Sequence, residues 1–177
     1  MKFHMRRVIG SQIFTYEEFS TYIIEIEACM NSRPLVATSN DPTDYEAITP
    51  SHFLIGTSIK GIPEPDVSEE RISLNDRWKM VRQMSQAFWK RWSLEYITQL
   101  QHRAKWSRPE RNIQENDLVI VKEDHVPPFK WKLARVLQVH EGPDKRVRVV
   151  ELKTSCGEIK RPIHKLCVLP IDHSLTN

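Results

Sequence analysis

Seven basic side chains near the C-terminus are the residues whose types and spacing best suit chemistry. Arg146 and Arg148 alternate with Val147 and Val149, so on a strand both guanidinium groups face one side and both valines the other. Two guanidinium groups on one ladder match the geometry of bidentate phosphate contacts. Lys160 and Arg161 follow on the next extended stretch, and Lys130, Lys132 and Arg135 flank Trp131. Contacts of this kind give affinity for a nucleic-acid backbone without sequence preference. The alternative is a solvated surface balanced by Glu141, Asp144, Glu151 and Glu158.

Catalytic patterns are missing. The sequence has no G-x-S-x-G, phosphate loop, dinucleotide fingerprint or H-E-x-x-H. Asp41, Asp44 and Glu46 form an acidic cluster, but metal-dependent chemistry needs carboxylates converging from a rigid scaffold. These lie in a proline-punctuated stretch, where a turn or capping role is expected. His164 and Cys167 are too few for a zinc site and would face opposite sides of a strand. No metal or other cofactor is expected. Three cysteines, Cys29, Cys156 and Cys167, without paired spacing indicate reduced thiols and an intracellular protein. No apolar run approaches the ~20 residues of a membrane span, so a membrane partner is not expected.

Charge is distributed unevenly along the 177 residues. Residues 16–76 hold 12 acidic and 3 basic side chains, and residues 77–112 hold 9 basic and 2 acidic. Residues 113–177 hold 11 basic and 9 acidic. An acidic first half and a basic second half suit a chain that binds a polyanion with one part.

The elements that must position these groups are legible. Phe14-Thr15-Tyr16-Glu17-Glu18-Phe19 combines a capping box with a hydrophobic staple. Apolar residues from Phe19 through Tyr22, Ile23, Ile26, Cys29 and Met30 then predict a striped helix ending near Asn31, before Pro34. That stripe needs a partner surface, most simply an upstream domain. Without one, residues 1–50 are expected to be partly disordered or to self-associate. Residues 34–76 read as irregular, an extended strap or linker with short elements only at Tyr45–Ile48 and His52–Ile55. A second helix is predicted from Asn75-Asp76 to about His102, with Trp78, Val81, Phe88, Trp92 and Tyr96 on one face. At helical spacing that stripe is expected to be core rather than a platform for bases.

From Asp117 the period becomes that of strands. Extended segments are predicted at Asp117–Asp124, Trp131–His140, Lys145–Lys153, Glu158–Arg161 and His164–Leu169, joined by tight turns. The expected fold class is therefore α+β: a helical N-terminal segment, a long aromatic helix, then a small five-stranded SH3-like β-barrel.

Several segments, in order, resemble one known family. Lys2–Gly10 (KFHMRRVIG), Ile26–Leu35 (IEACMNSRPL) and Ile48–Gly56 (ITPSHFLIG) resemble the end of the integrase region in BEL/Pao-type retrotransposon polyproteins. So do Phe88–Trp92 (FWKRW) with Glu95-Tyr96, Asp117–Lys122 (DLVIVK), Trp131–Val136 (WKLARV) and Lys160–Leu166 (KRPIHKL). The resemblance implies that residues 1–50 are the last helices of a ribonuclease-H-like catalytic core and residues 51–75 a linker. It further implies a C-terminal domain at 76–170, with its helix at 76–102 and its barrel at 113–170, and a tail at 171–177. That barrel would be similar to the DNA-binding C-terminal domains of retroviral integrases. The family's catalytic triad of two aspartates and a glutamate belongs upstream of Lys2. The expectation is a non-catalytic, nuclear chain that binds DNA through Lys130, Lys132, Arg135, Arg146, Arg148, Lys160 and Arg161. The alternative is a module contacting other integrase subunits or chromatin proteins.

Overall fold

Thr15 opens the main N-terminal helix as its neighbours dictate. Its hydroxyl accepts from the Glu18 backbone N–H at 3.3 Å, and the Glu18 carboxylate accepts from the Thr15 N–H at 2.8 Å. Phe14 leans on Phe19 with ring centroids 6.2 Å apart, completing the staple. The computed structural model describes residues 2–62, 64–73, 75–101, 112–123, 126–144 and 146–170. The expected helix end at His102, strand start at Lys145 and tail at 171–177 lie outside these.

In chain order the elements begin with α1 (Lys2–Ile9), α2 (Tyr16–Asn31), β1 (Val36–Ala37) and β2 (Ala47–Ile48). They continue with α3 (Pro50–Ile55), α4 (Arg77–Leu100), β3 (Leu118–Val121) and β4 (Leu133–Glu141). Last come β5 (Val147–Thr154), β6 (Gly157–Pro162), a 3-10 turn at Ile163–Lys165, and β7 (Leu166–Val168). No helix among the described residues is long and apolar enough to cross a membrane.

The stripe on α2 is covered within the chain, which corrects the expectation of a missing partner. Tyr22, Ile26 and Cys29 pack against Val81, Met84, Phe88, Trp89 and Trp92 of α4. Tyr22, Ile26 and Phe88 are fully buried, and each apolar side chain of this size contributes roughly 1.5–3 kcal/mol when taken from water. The aromatic stripe of α4 is therefore core, except that Trp78 is 59% exposed. Trp78 sits in the first turn, where its neighbour Arg77 instead reaches α2 and grips Glu18 at 2.7–2.8 Å. Helix α4 thus shares one core with residues of the expected first domain.

Residues between α3 and α4 strap back along α4. Val67 is buried; its N–H donates to the Gln86 side chain, and its carbonyl accepts from Gln83. The β1–β2 hairpin reaches the sheet as well, with the Ala37 N–H donating to the Pro170 carbonyl.

The five-stranded sheet is antiparallel in the order β6-β5-β4-β3-β7. One face packs inward on itself through Val119, Val121, Ala134, Val136, Val147, Val150 and Leu152. The other, through Leu118, Ile120 and Cys167, packs on Ile97 of α4 and on Ala37 and Ala47. The edge strands β6 and β7 do not pair, so the ladder is open where a closed barrel was expected. The sheet is nonetheless curled. Four strand spacings would separate the edges of a flat sheet by about 19 Å. Pro162 to Leu166, the link between the two edges, spans at most about 14 Å.

Candidate nucleic-acid interface

Strand β5 departs from simple alternation. The β4–β5 register shifts between His140 and Glu141, so Val149 pairs with His140 and Val147 with Glu141. The extra residue re-phases the strand: Val147 and Val150 are buried, while Val149 is only half-buried. Arg146 and Arg148 remain exposed as expected, but the valines buried on the far side are Val147 and Val150 rather than Val147 and Val149. Arg148 pairs with Asp144 at 3.0 Å across the hairpin tip.

Lys160 lies opposite Glu151 on β6 and pairs with it at 3.1 Å. His140 approaches the same carboxylate at 2.9 Å. Those two hydrogen bonds, His140 first and Lys160 second, hold the Glu151 carboxyl below its ordinary range. Lys153 is also exposed on β5, a basic group that the sequence reading passed over. It falls on the same alternation as Glu151, which would have placed it.

Lys132 and Arg161 belong to a different place. Both converge on Glu123, at 2.7 Å and 3.1 Å. These contacts, led by the Lys132 hydrogen bond, lower the pKa of Glu123. Arg161 shares its face of β6 with Ile159 and reaches across the curled sheet to do so. Lys130 is exposed at the end of a turn in which Phe129 takes the left-handed conformation, with φ of 64°.

Arg135 is removed from the candidate set. It is 1% exposed, and its guanidinium donates to the carbonyls of Ser39, Asp44 and Asn116 at 2.6, 2.9 and 3.0 Å. A phosphate cannot reach it. The sequence reading missed this because Arg135 pairs across the sheet with Leu118, beside a loop distant in sequence. Burial pulls its pKa down from the ordinary guanidinium value, yet an arginine this far from neutral pH stays charged.

The seven candidates therefore do not form one ladder. Arg146, Arg148 and Lys160, with Lys153, occupy the outer β5–β6 surface. Lys130, Lys132 and Arg161 lie toward the other end of the sheet. There a cleft opens between α4 and the β3–β4 connection, lined also by Lys90 and Lys122. The FWKRW segment and the strand end at Lys122 were the available signals for those two lysines.

The acidic cluster behaves as a turn. Asp41 accepts from the Thr43 N–H at 2.8 Å, and Asp44 accepts from the Glu46 N–H at 2.8 Å and from the Ser39 hydroxyl. His164 is exposed in the 3-10 turn and Cys167 is buried against α4, so they are not joint ligands. Among the described residues no three His, Cys, Asp or Glu side chains come together as a metal site.

These features define a mixed helix-and-sheet protein with a curled five-stranded antiparallel sheet that carries basic side chains on its outer surface. Residues 76–169, more than half the chain, match the family of unknown function DUF5641, and the chain belongs to that family. No curated protein and no solved structure matches it.

Proposed function

We propose that the chain is the C-terminal part of a BEL/Pao-type retrotransposon integrase that holds DNA non-specifically by its phosphate backbone, without a catalytic triad of its own. The carrying observation is the exposure of Arg146, Arg148, Lys153 and Lys160 together on β5–β6. The partners of Arg148 and Lys160 are the surface carboxylates Asp144 and Glu151. Exposed pairs of this kind are worth only about 0–1 kcal/mol, so a phosphate displaces the carboxylate at little cost. Guanidinium groups suit phosphate bidentately. Contacts to phosphate rather than to base edges favour binding independent of sequence.

An SH3-like reading of the sheet is supported by its curl and by the 3-10 turn that joins opposite edges. The segment order from Lys2 to Leu166 supports the integrase assignment, and a nuclear location follows from it. Fluorescence anisotropy on labelled duplexes of equal length and unrelated sequence tests the binding claim. Affinities at low salt should agree within about threefold. Absence of binding at low salt, or a preference of about a hundredfold for one sequence, overturns it.

A further inference from the structure

The cleft between α4 and the sheet holds chemistry that backbone-phosphate binding leaves unused. It has a volume of about 170 Å³ and is open to solvent. Its apolar wall comes from Leu94 and Ile97 of α4 and from Val126, Pro127 and Trp131 of the β3–β4 connection. Leu94 is 43% exposed, a large aliphatic side chain that nothing among the described residues covers.

The rim is positive. Lys90, Lys122 and Lys130 line it, and among the described residues none of the three makes an ion pair. The nearby carboxylates are already engaged: Glu123 by Lys132 and Arg161, and Glu64 by Arg82 at 3.1 Å. Asp66 accepts from the Ser68 N–H at 2.9 Å. Apolar wall and lysines that are unpaired among the described residues together call for an occupant that is both aliphatic and anionic.

We propose that this cleft docks a short peptide segment of a partner protein in which acidic and aliphatic side chains interleave. Nucleic acid fits it less well. Trp89 is only 3% exposed, and its indole N–H is committed to the Val126 carbonyl at 2.9 Å. The Trp131 ring packs edge-on against Trp89, Trp92 and Tyr96, and its indole N–H donates to Ser32. Trp89 therefore offers no free face for a base to stack on.

The test is selection of random dodecapeptides displayed on phage against the full chain, followed by anisotropy on the synthetic winners. Winners should interleave Asp or Glu with aliphatic residues. Their affinity should fall at least about tenfold for Lys90→Glu with Lys122→Glu, and likewise for Leu94→Asp. All three positions are surface-accessible, and unchanged circular dichroism confirms that the variants fold. Arg146→Ala with Arg148→Ala should leave peptide binding intact, which separates this site from the DNA surface. The proposal is overturned if no peptide is selected, or if winners bind all variants equally. It is also overturned if oligothymidylate displaces the winners and shows the same sensitivity to the cleft variants, which makes the cleft a nucleic-acid site.

Discussion

Replacing Arg135 with methionine separates a structural role from a DNA-binding one. Methionine keeps much of the apolar stem that the buried chain packs. What disappears is the guanidinium and its donation to the Ser39, Asp44 and Asn116 carbonyls. A hydrogen bond to a charged group nets about 1.5–3 kcal/mol, but removing arginine also relieves the desolvation of a buried charge. Water reaching the 39–44 loop recovers part of the loss further. The balance is a destabilisation of about 3 kcal/mol, equivalent to a drop in Tm of about 6–12 °C for a chain of this size. Urea denaturation at neutral pH measures it. Arg135→Lys should fall comparably, because one ammonium cannot serve three diverging carbonyls. DNA affinity of the folded fraction should not change. A loss below about 0.5 kcal/mol accompanied by weaker DNA binding would refute the reasoning, since that is the signature of an exposed phosphate contact.

Three further outcomes follow from individual side chains. Glu18, held by Arg77 first and by the Thr15 backbone second, titrates at about 2 instead of 4.5. A depressed folded pKa stabilises above the unfolded value and is lost as pH falls through the folded one, so acid denaturation between about 4.5 and 2 should be blunted in Glu18→Gln. Burial pushes the Cys29 thiol up to about 12 and Cys167 to about 11, while Cys156 is exposed. A thiol-disulfide reagent should therefore titrate one thiol rapidly in the native chain and three in denaturant; fast reaction of two or more native thiols contradicts the packing. Asn116 holds φ of 70° at the entry to β3, so Asn116→Val should cost more than about 1 kcal/mol and Asn116→Gly distinctly less. Equal losses for both in thermal melts would remove backbone strain as the cause.

Local rules made much of this fold legible. The Thr15–Glu18 capping box, the Asp76 cap of α4 and the left-handed Asn116 depend on residues within a few positions of each other. Strand periods placed all five strands of the sheet to within a few residues, because apolar alternation follows from the pleat. What escaped was anything that joins distant segments. The α2 stripe has the same sequence whether its partner is a missing domain or α4, further along the chain. Arg135 looks like any strand arginine until the 39–44 loop arrives beside it. The register shift at His140–Glu141 moved the buried phase from Val149 to Val150, which no alternation rule foresees. The cleft lysines Lys90 and Lys122 lie 32 positions apart and become neighbours only when α4 packs on the sheet.

The salt dependence of DNA binding reaches the central claim most directly. Each phosphate contact contributes about 0.9 to the slope of log K against log salt on duplex DNA. With Arg146, Arg148 and Lys160 all changed to alanine, the slope should become shallower by about 2–3, with unchanged circular dichroism. An unchanged slope in that variant, or wild-type binding indifferent to salt, would contradict a phosphate-binding surface on β5–β6.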